Sequence, residues 1–418
     1  MVWAETCSMT EKARFCMAYE LGEASMSELC RRFGVSRKTG YQVLSRWRAE
    51  GAAGLAARSH APHRCPHALS DEVGEAVLAL RHRHPTWGPK KIKARLEQTE
   101  PDLHWPAVST IGDVLLRAGL VVRRKRRRHA AARTAPLAGC AAANDTWSMD
   151  FKGWFRTGDG MRCDPLTVQD QASRYLIRAV AVDRTDTAHV WPVLDAAFRE
   201  FGLPRVMRSD NGAPFASTGA GGLSALSVRL IKAGVRPERI DPASPQQNGR
   251  LERLHLTLAQ ETASPPAASI AAQGKRLRAF CKVYNEERPH EALGMAVPAA
   301  RYAASPRAWS GRLRSPDYCS GVVVRRVRSS GEIKWRGGLM YVSSALIGEP
   351  VGIEETEAGL WQVSYGPILL GVIGPDHVLV RPRAVRASGR RWRDALTAHR
   401  AEQHQKPVTH HAGQNCYP

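Results

Sequence analysis

The sequence has no run of about 18 apolar residues and so offers no membrane span. Its first residues, MVWAETCSMTEKAR, show no apolar stretch behind a basic start, the mark of a secretory leader. The nine cysteines are odd in number and contain no C-x2-C pair. Neither a disulfide scaffold nor a structural zinc site is expected, even around His60, His63, Cys65 and His67, and the expected location is a reducing cytoplasm. Thr218 to Gly222 is glycine-rich but is not followed by the Lys-Ser/Thr of a phosphate-binding loop, so no nucleotide is expected. No repeat of fixed period is present. Acids are also scarce: 39 Asp and Glu face 61 Lys and Arg, leaving +22. Such a field suits a polyanionic partner.

What the chain does contain is enough apolar material for several cores. Its 418 residues are about three times an ordinary domain of roughly 100 to 200, and 43% hydrophobic residues with 11 Trp exclude a wholly disordered chain. Composition and punctuation divide it into a helix-turn-helix region at 8–60, a second helix-turn-helix-like region at 67–122 and a basic linker at 123–144. A mixed α/β core follows at 145–304, then a small all-β barrel at 318–385 and a tail at 386–418 expected to be disordered. The stretch 305–316, SPRAWSGRLRSP, reads as a break between core and barrel. The core is the least basic part, as suits a region holding essential carboxylates.

In MSELCRRFGVSRKTGYQVLSRWRAEG, two short amphipathic stretches meet at Gly34-Val35-Ser36, with Gly34 permitting the turn and Ser36 able to cap the second helix. That helix would present Arg37, Lys38, Tyr41, Gln42 and Arg46 to a DNA groove. In the second region Ser70 is a plausible N-cap and Pro89 fits a first helical turn. Lys90, Lys91 and Lys93 would then gather where phosphates could be held, while Trp87 is expected in the core. Arg123, Arg124 and Lys125 begin a run of six basic residues suited to tracking phosphates. The β region carries a further basic face through Arg325, Arg326, Arg328, Lys334 and Arg336.

The core opens with three extended segments, WSMDFKGWFR, CDPLTVQDQ and YLIRAVAVD, which suggest a meander. A helix over TAHVWPVLDAAFREFG, a strand over RVMRSDNG and a helix over PQQNGRLERLHLTLAQE follow. Asp150 lies in the first strand and Asp210 ends the fourth, where Asn211-Gly212 turns the chain. Glu252 sits on the later helix, beside a stripe of Leu251, Leu254 and Leu258 and on a polar stripe with Asn248 and His255. Three converging carboxylates repel one another unless a divalent cation lies among them. Oxygen-only ligands with open water sites suit magnesium or manganese, and two such ions would serve an in-line phosphodiester displacement. Asp164 and Asp170 are weaker candidates, read as loop acids. Tyr284, Asn285, Arg288, Pro289 and His290 are expected to lock the end of the core.

Four motifs, WSMDFKG, RSDNGAPF, SPQQNGRLER and YNEERPHEALG, resemble those of the DDE transposases of bacterial insertion sequences, whose core is similar to that of retroviral integrases. The likeness extends over roughly residues 8 to 385. It implies a ribonuclease-H-like core, an SH3-like barrel after it, and Asp150, Asp210 and Glu252 as both catalytic and metal-binding triad. The 41 residues between Asp210 and Glu252 exceed the usual integrase spacing, with the extra length placed in ASTGAGGLSALS. Asn248 and Arg253, in the third motif, are expected at the DNA. The implied activity is binding of the element's terminal inverted repeats, metal-dependent strand cleavage and transfer of the freed 3′ end to target DNA, by a homo-oligomer assembled on double-stranded DNA. The alternatives are a DNA-binding regulator derived from a transposase, which a lost acid would favour, and a plain nuclease of the same fold, against which two preceding DNA-binding regions argue.

Overall fold

The computed structural model describes residues 8–58, 69–121, 140–240, 249–357, 359–374 and 378–381. Arg123, Arg124, Lys125, Asn248 and the tail after 386 lie outside the described residues. The chain divides into two compact units, Met1–Leu69 and Ser70–Pro418.

The first unit folds as three helices, α1 (Ser8–Glu20), α2 (Met26–Arg32) and α3 (Arg37–Glu50). Ser36 caps α3 by accepting from Thr39 N–H at 3.1 Å, as its place after Gly34-Val35 suggested. Phe15, Leu29, Cys30, Val43 and Leu44 form the centre of its core. Crossing of α2 and α3 needs a residue without a side chain: a Cβ at Gly40 would stand 2.8 Å from Cys30 Sγ and 2.9 Å from the Phe15 ring. With its inner face so committed, α3 turns Arg37, Lys38, Tyr41 and Gln42 to solvent, with Arg46 half-buried.

The second unit begins with α4 (Asp71–Arg83), α5 (Pro89–Thr99) and α6 (Val108–Arg117) around Val77, Trp87, Ile92, Trp105, Ile111 and Leu115. Trp87 is fully buried, as expected. The core follows: β1 (Thr146–Phe151), β2 (Phe155–Arg156), β3 (Arg162–Asp170), β4 (Leu176–Val182), α7 (Thr187–Phe201), β5 (Val206–Ser209), α8 (Ala225–Lys232), β6 (Arg236–Arg239), α9 (Gly249–Thr262) and α10 (Ile270–Glu286). The main sheet runs β4-β3-β1-β5-β6, antiparallel up to β1 and parallel from β1 to β6, while β2 pairs with the start of β3. Leu194, Phe198, Leu226 and Leu230 of α7 and α8 join Trp147, Met149 and Met207 of the strands in one cluster. Leu251, Leu254 and Leu258, the predicted stripe of α9, join Leu277, Phe280 and Tyr284 of α10 and Leu176 and Ala179 of β4 in another. The result is a sheet between two helical layers, the mixed architecture expected of the core.

The all-β region holds β7 (Val323–Arg326), β8 (Glu332–Trp335), β9 (Gly338–Tyr341), β10 (Pro350–Glu355), β11 (Trp361–Tyr365), β12 (Ile368–Ile373) and β13 (Leu379–Val380). Its strands form a five-stranded antiparallel sheet, β13-β12-β11-β10-β7, and a β8–β9 hairpin around a shared apolar centre that also takes in Val228 and Ile231 of α8. The stretch 305–316 is tied to the core rather than spanning a gap. Arg307 donates to Pro204 O at 2.7 Å and Gly234 O at 2.6 Å, and Trp309 Nε1 donates to Asp195 at 2.7 Å.

Residues 70–121 pack within the same unit as the core. Thr86 O–H and Arg288 Nη1 both donate to the Glu261 carboxylate of α9, the latter at 2.8 Å. Lys90 stands 3.7 Å from Glu291, and Gln98 Nε2 donates to Met295 O at 3.2 Å. At this junction burial, and then the charges of Lys91, Arg288 and Arg174, press the His290 imidazole down to about 3. The Tyr284 ring meets it edge-on at 4.7 Å, and among the described residues its Nε2 has no hydrogen-bond partner. An unfolded histidine takes its proton near pH 6.5. The contribution of His290 to stability is therefore full above pH 6.5 and falls as pH drops from 6.5 towards 3, because at this group only the unfolded chain gains the proton. The expected loss approaches about 1 kcal/mol per pH unit in that window. Urea melts at pH 7 and pH 5.5 should show the wild type losing more stability on acidification, relative to pH 7, than His290→Gln does.

Candidate active site

The parallel pairing of β1 with β5 decides where the first two acids meet. Thr146, Trp147 and Ser148 stand opposite Val206, Met207 and Arg208, so continuing the same register by two residues sets Asp150 opposite Asp210, just past the end of β5. Side chains at equal register on neighbouring parallel strands share a face at about 4.8 Å spacing. The turn that ends β5 then orients the second acid: Gly212 N–H donates to Asp210 Oδ1 at 3.1 Å, and Asn211 Nδ2 donates to Ile240 O at 2.8 Å. Asp150 Oδ1 accepts from Phe151 N–H at 2.8 Å.

The third acid is on a helix bonded to β3, the other neighbour of β1. On β3, Thr167 is the register partner of Asp150, and its hydroxyl donates to Asp150 O at 3.1 Å. The same hydroxyl lies 2.7 Å from Nε2 of His255, one turn beyond Glu252 on α9. Burial, and then Lys152, push His255 down to about 4, so the ring is neutral at ordinary pH. Glu252 itself is solvent exposed, whereas Asp150 and Asp210 are half-buried. All three sense one another at Asp150: burial, then Asp210, then more weakly Glu252 drive its carboxyl up to about 7 against the Phe151 hydrogen bond. Among the described residues no three carboxylate, imidazole or thiol groups already close around one point as a finished metal sphere. The two aspartates are thus held side by side, with the exposed Glu252 in electrostatic reach.

The weaker acid candidates are engaged elsewhere, and both lie on β3 rather than in loops. Asp164 is bound by Arg162 at 2.6 Å, and Asp170 accepts from Asn144 N–H and from Ser173 N–H and O–H. The fourth motif does lock the core: Asn285 bonds both backbone groups of Leu176, and Tyr284 O–H accepts from Gln169 at 3.0 Å. Arg253 is exposed next to Glu252. Lys91 is half-buried, held down to about 8 by burial and then by Arg288, so of the two junction lysines Lys90 is the more open. Arg336 stacks on Trp335 and Trp361, 5.6 and 5.2 Å from the ring centroids. The sequence puts His255 on the polar stripe of α9 without giving it a role; its three-residue spacing from Glu252 is the available signal.

Comparison with known proteins shows what the chain is similar to. Residues 141–245 and 233–298 match integrase core domains, 11–63 match a helix-turn-helix domain, and 39–115 match a homeodomain-like domain. An insertion element IS476 39.2 kDa protein of Xanthomonas euvesicatoria is 28% identical over 282 residues, 66% of this chain and 78% of that protein. The chain thus carries an integrase core domain behind helix-turn-helix domains and is similar to insertion-element proteins. An IS407 31.7 kDa protein of Burkholderia multivorans is 27% identical over 241 residues, covering 57% of this chain and 83% of that relative. Among solved structures, a simian T-cell lymphotropic virus intasome in complex with PP2A regulatory subunit B56 gamma matches at 14% identity and TM-score 0.34, covering 68% of this chain and 99% of that one. The catalytic core of BIV integrase matches at 17% identity and TM-score 0.30, covering 38% and 93%. The domain matches accordingly give the chain DNA-binding helix-turn-helix regions and an integrase core. No helix among its described residues is long and apolar enough to cross a membrane.

Proposed function

We propose that the protein binds the terminal inverted repeats of its own element as a homo-oligomer, cuts a DNA strand at each end and joins the freed 3′-hydroxyl to target DNA, in the cytoplasm. The observation that carries this reading is the matched placement of Asp150 and Asp210 at the ends of adjacent parallel strands, with Asp150 raised to about 7 by burial and by the other two acids. Carboxylates set so close resist ionisation unless a cation joins them, and an all-oxygen donor set fits magnesium or manganese better than a softer metal. Asp150, Asp210 and Glu252 would hold the metal, two ions in this reading, which when bound supplies Lewis acidity for the attacking and leaving oxygens.

The protein's own groups do the rest. The Gly212 N–H fixes one Asp210 oxygen. Neutral His255 braces α9 against Thr167 without adding charge beside the acids. Glu252, alone exposed, is the acid able to close last, so the site completes only around its ligands. Recognition of element ends falls to the exposed face of α3, through Arg37, Lys38, Tyr41 and Gln42. Incubating the full-length protein with labelled element ends and magnesium tests the reading. Nicked ends followed by joined products are expected, together with a magnesium-dependent rise in melting temperature that Asp150→Asn lacks. Bound ends that are never nicked, with no metal effect on melting, would favour the regulator.

A further inference from the structure

Among the described residues, Trp87, Trp105, Trp147 and Trp335 are at most 6% exposed, and Trp47, Trp191, Trp309 and Trp361 are half-buried. Trp154 is 57% exposed, and among the described residues it is the one tryptophan in the exposed class. It lies four residues after Asp150, where the chain leaves β1 for the β2–β3 hairpin. An indole left in water forfeits the burial that stabilises such side chains elsewhere, so local packing does not account for it.

The surroundings of the ring are cationic and fixed. The Arg162 guanidinium lies 5.4 Å and that of Arg156 6.0 Å from the ring centroid. Arg162 is anchored through Nε to Asp164 at 2.6 Å, and Arg156 through Nη1 to Gly160 O at 2.7 Å. Each guanidinium has five N–H groups, so both keep donors for a second partner. Lys152, 5.4 Å from the Phe155 ring centroid, completes the strip. Its charge is felt at His255.

An exposed aromatic among anchored cations matches the chemistry of unpaired nucleic acid: phosphates on the cations, a base face on the ring. A fully paired duplex keeps its bases stacked and offers the ring nothing comparable, whereas a frayed DNA end does. We propose that Trp154, with Lys152, Arg156 and Arg162, forms a platform on which an unpaired terminal nucleotide of the DNA end stacks beside the active site. This deepens the function proposed above by naming what part of the DNA the site holds: the strand is opened at its tip, and the platform keeps it from re-pairing.

The test uses full-length protein and end duplexes with either paired or deliberately mismatched final base pairs, without metal so that no cutting intervenes. Trp154→Ala should weaken binding of mismatched ends roughly tenfold, within the range of one base–aromatic stack, and leave fully paired ends within about twofold. Trp154→Phe should recover most of the loss. With 5-iododeoxyuridine as the terminal nucleotide, irradiation should crosslink the peptide bearing Trp154. Equal affinities of wild type and Trp154→Ala for mismatched ends, or a crosslink confined to other peptides, would overturn the proposal. So would a changed oligomeric mass of Trp154→Ala with DNA affinity intact, which would make the patch a contact between protein copies. Cutting by the wild type is scored separately with magnesium, so a platform without cutting, or cutting without a platform, tells the two readings apart.

Discussion

Asp210→Asn is expected to bind element ends within about twofold of wild type and to cut and join them on the order of a thousandfold more slowly. The substitution keeps the side chain's shape and the acceptor that Gly212 N–H uses, so the turn after β5 should persist. What goes is the charge nearest Asp150, the largest neighbouring-charge influence on that carboxyl. A metal-centred displacement depends on that charge, and losses of roughly this size accompany removal of a preorganised electrostatic partner. Glu252→Gln should behave alike. The same preparations should be assayed for end binding, 3′ nicking and strand transfer, with a thermal melt as control; unimpaired nicking by both variants would remove the triad from the chemistry.

Arg37→Ala combined with Lys38→Ala should show the opposite separation, with chemistry on pre-bound DNA intact and end capture impaired. Both side chains stand exposed at the start of α3, with Arg37 reaching Ser27 at 3.3 Å. Two lost phosphate contacts on duplex DNA lower the slope of log affinity against log salt by roughly 1.8. Gel-shift titrations at two or more salt concentrations measure this directly. If affinity and slope both hold, α3 is not the reader of the ends.

The parts of this molecule that could be read in advance are those governed by local patterns. Alternation and turn residues marked β1, β3, β4 and β5, the Leu251-Leu254-Leu258 stripe marked the buried side of α9, and Ser36 and Pro89 marked helix starts. Asp150 and Asp210 were visible because one sits inside a strand pattern and the other where a strand pattern ends in a turn. What escaped depends on partners distant in the chain. β6, RPER, has no apolar alternation and is a strand because it pairs with β5, with Glu238 bound to Arg208 at 2.8 Å. The glycine-rich stretch before α8 read as spare loop, yet α8 is buried on two sides, Leu226 and Leu230 towards the sheet and Val228 and Ile231 towards the β region. Lys91 looked like a phosphate ligand because nothing near it in sequence announces Arg288. His255 was placed correctly on its helix, but its bond to Thr167 needs the third dimension.

The junction around Glu261 also sets a schedule for synthesis. Residues 70–121 carry their own apolar centre and can collapse soon after leaving the ribosome, but Thr86 must wait for a partner 175 residues later in the chain. At about 5 to 20 residues per second that delay is roughly 9 to 35 s. Throughout it, the surface that will receive α9 and α10 stays open to solvent and to other chains. Translation arrested before residue 249 would therefore release a polypeptide with formed helices and a permanently uncovered flank, a natural target for chaperones and proteases.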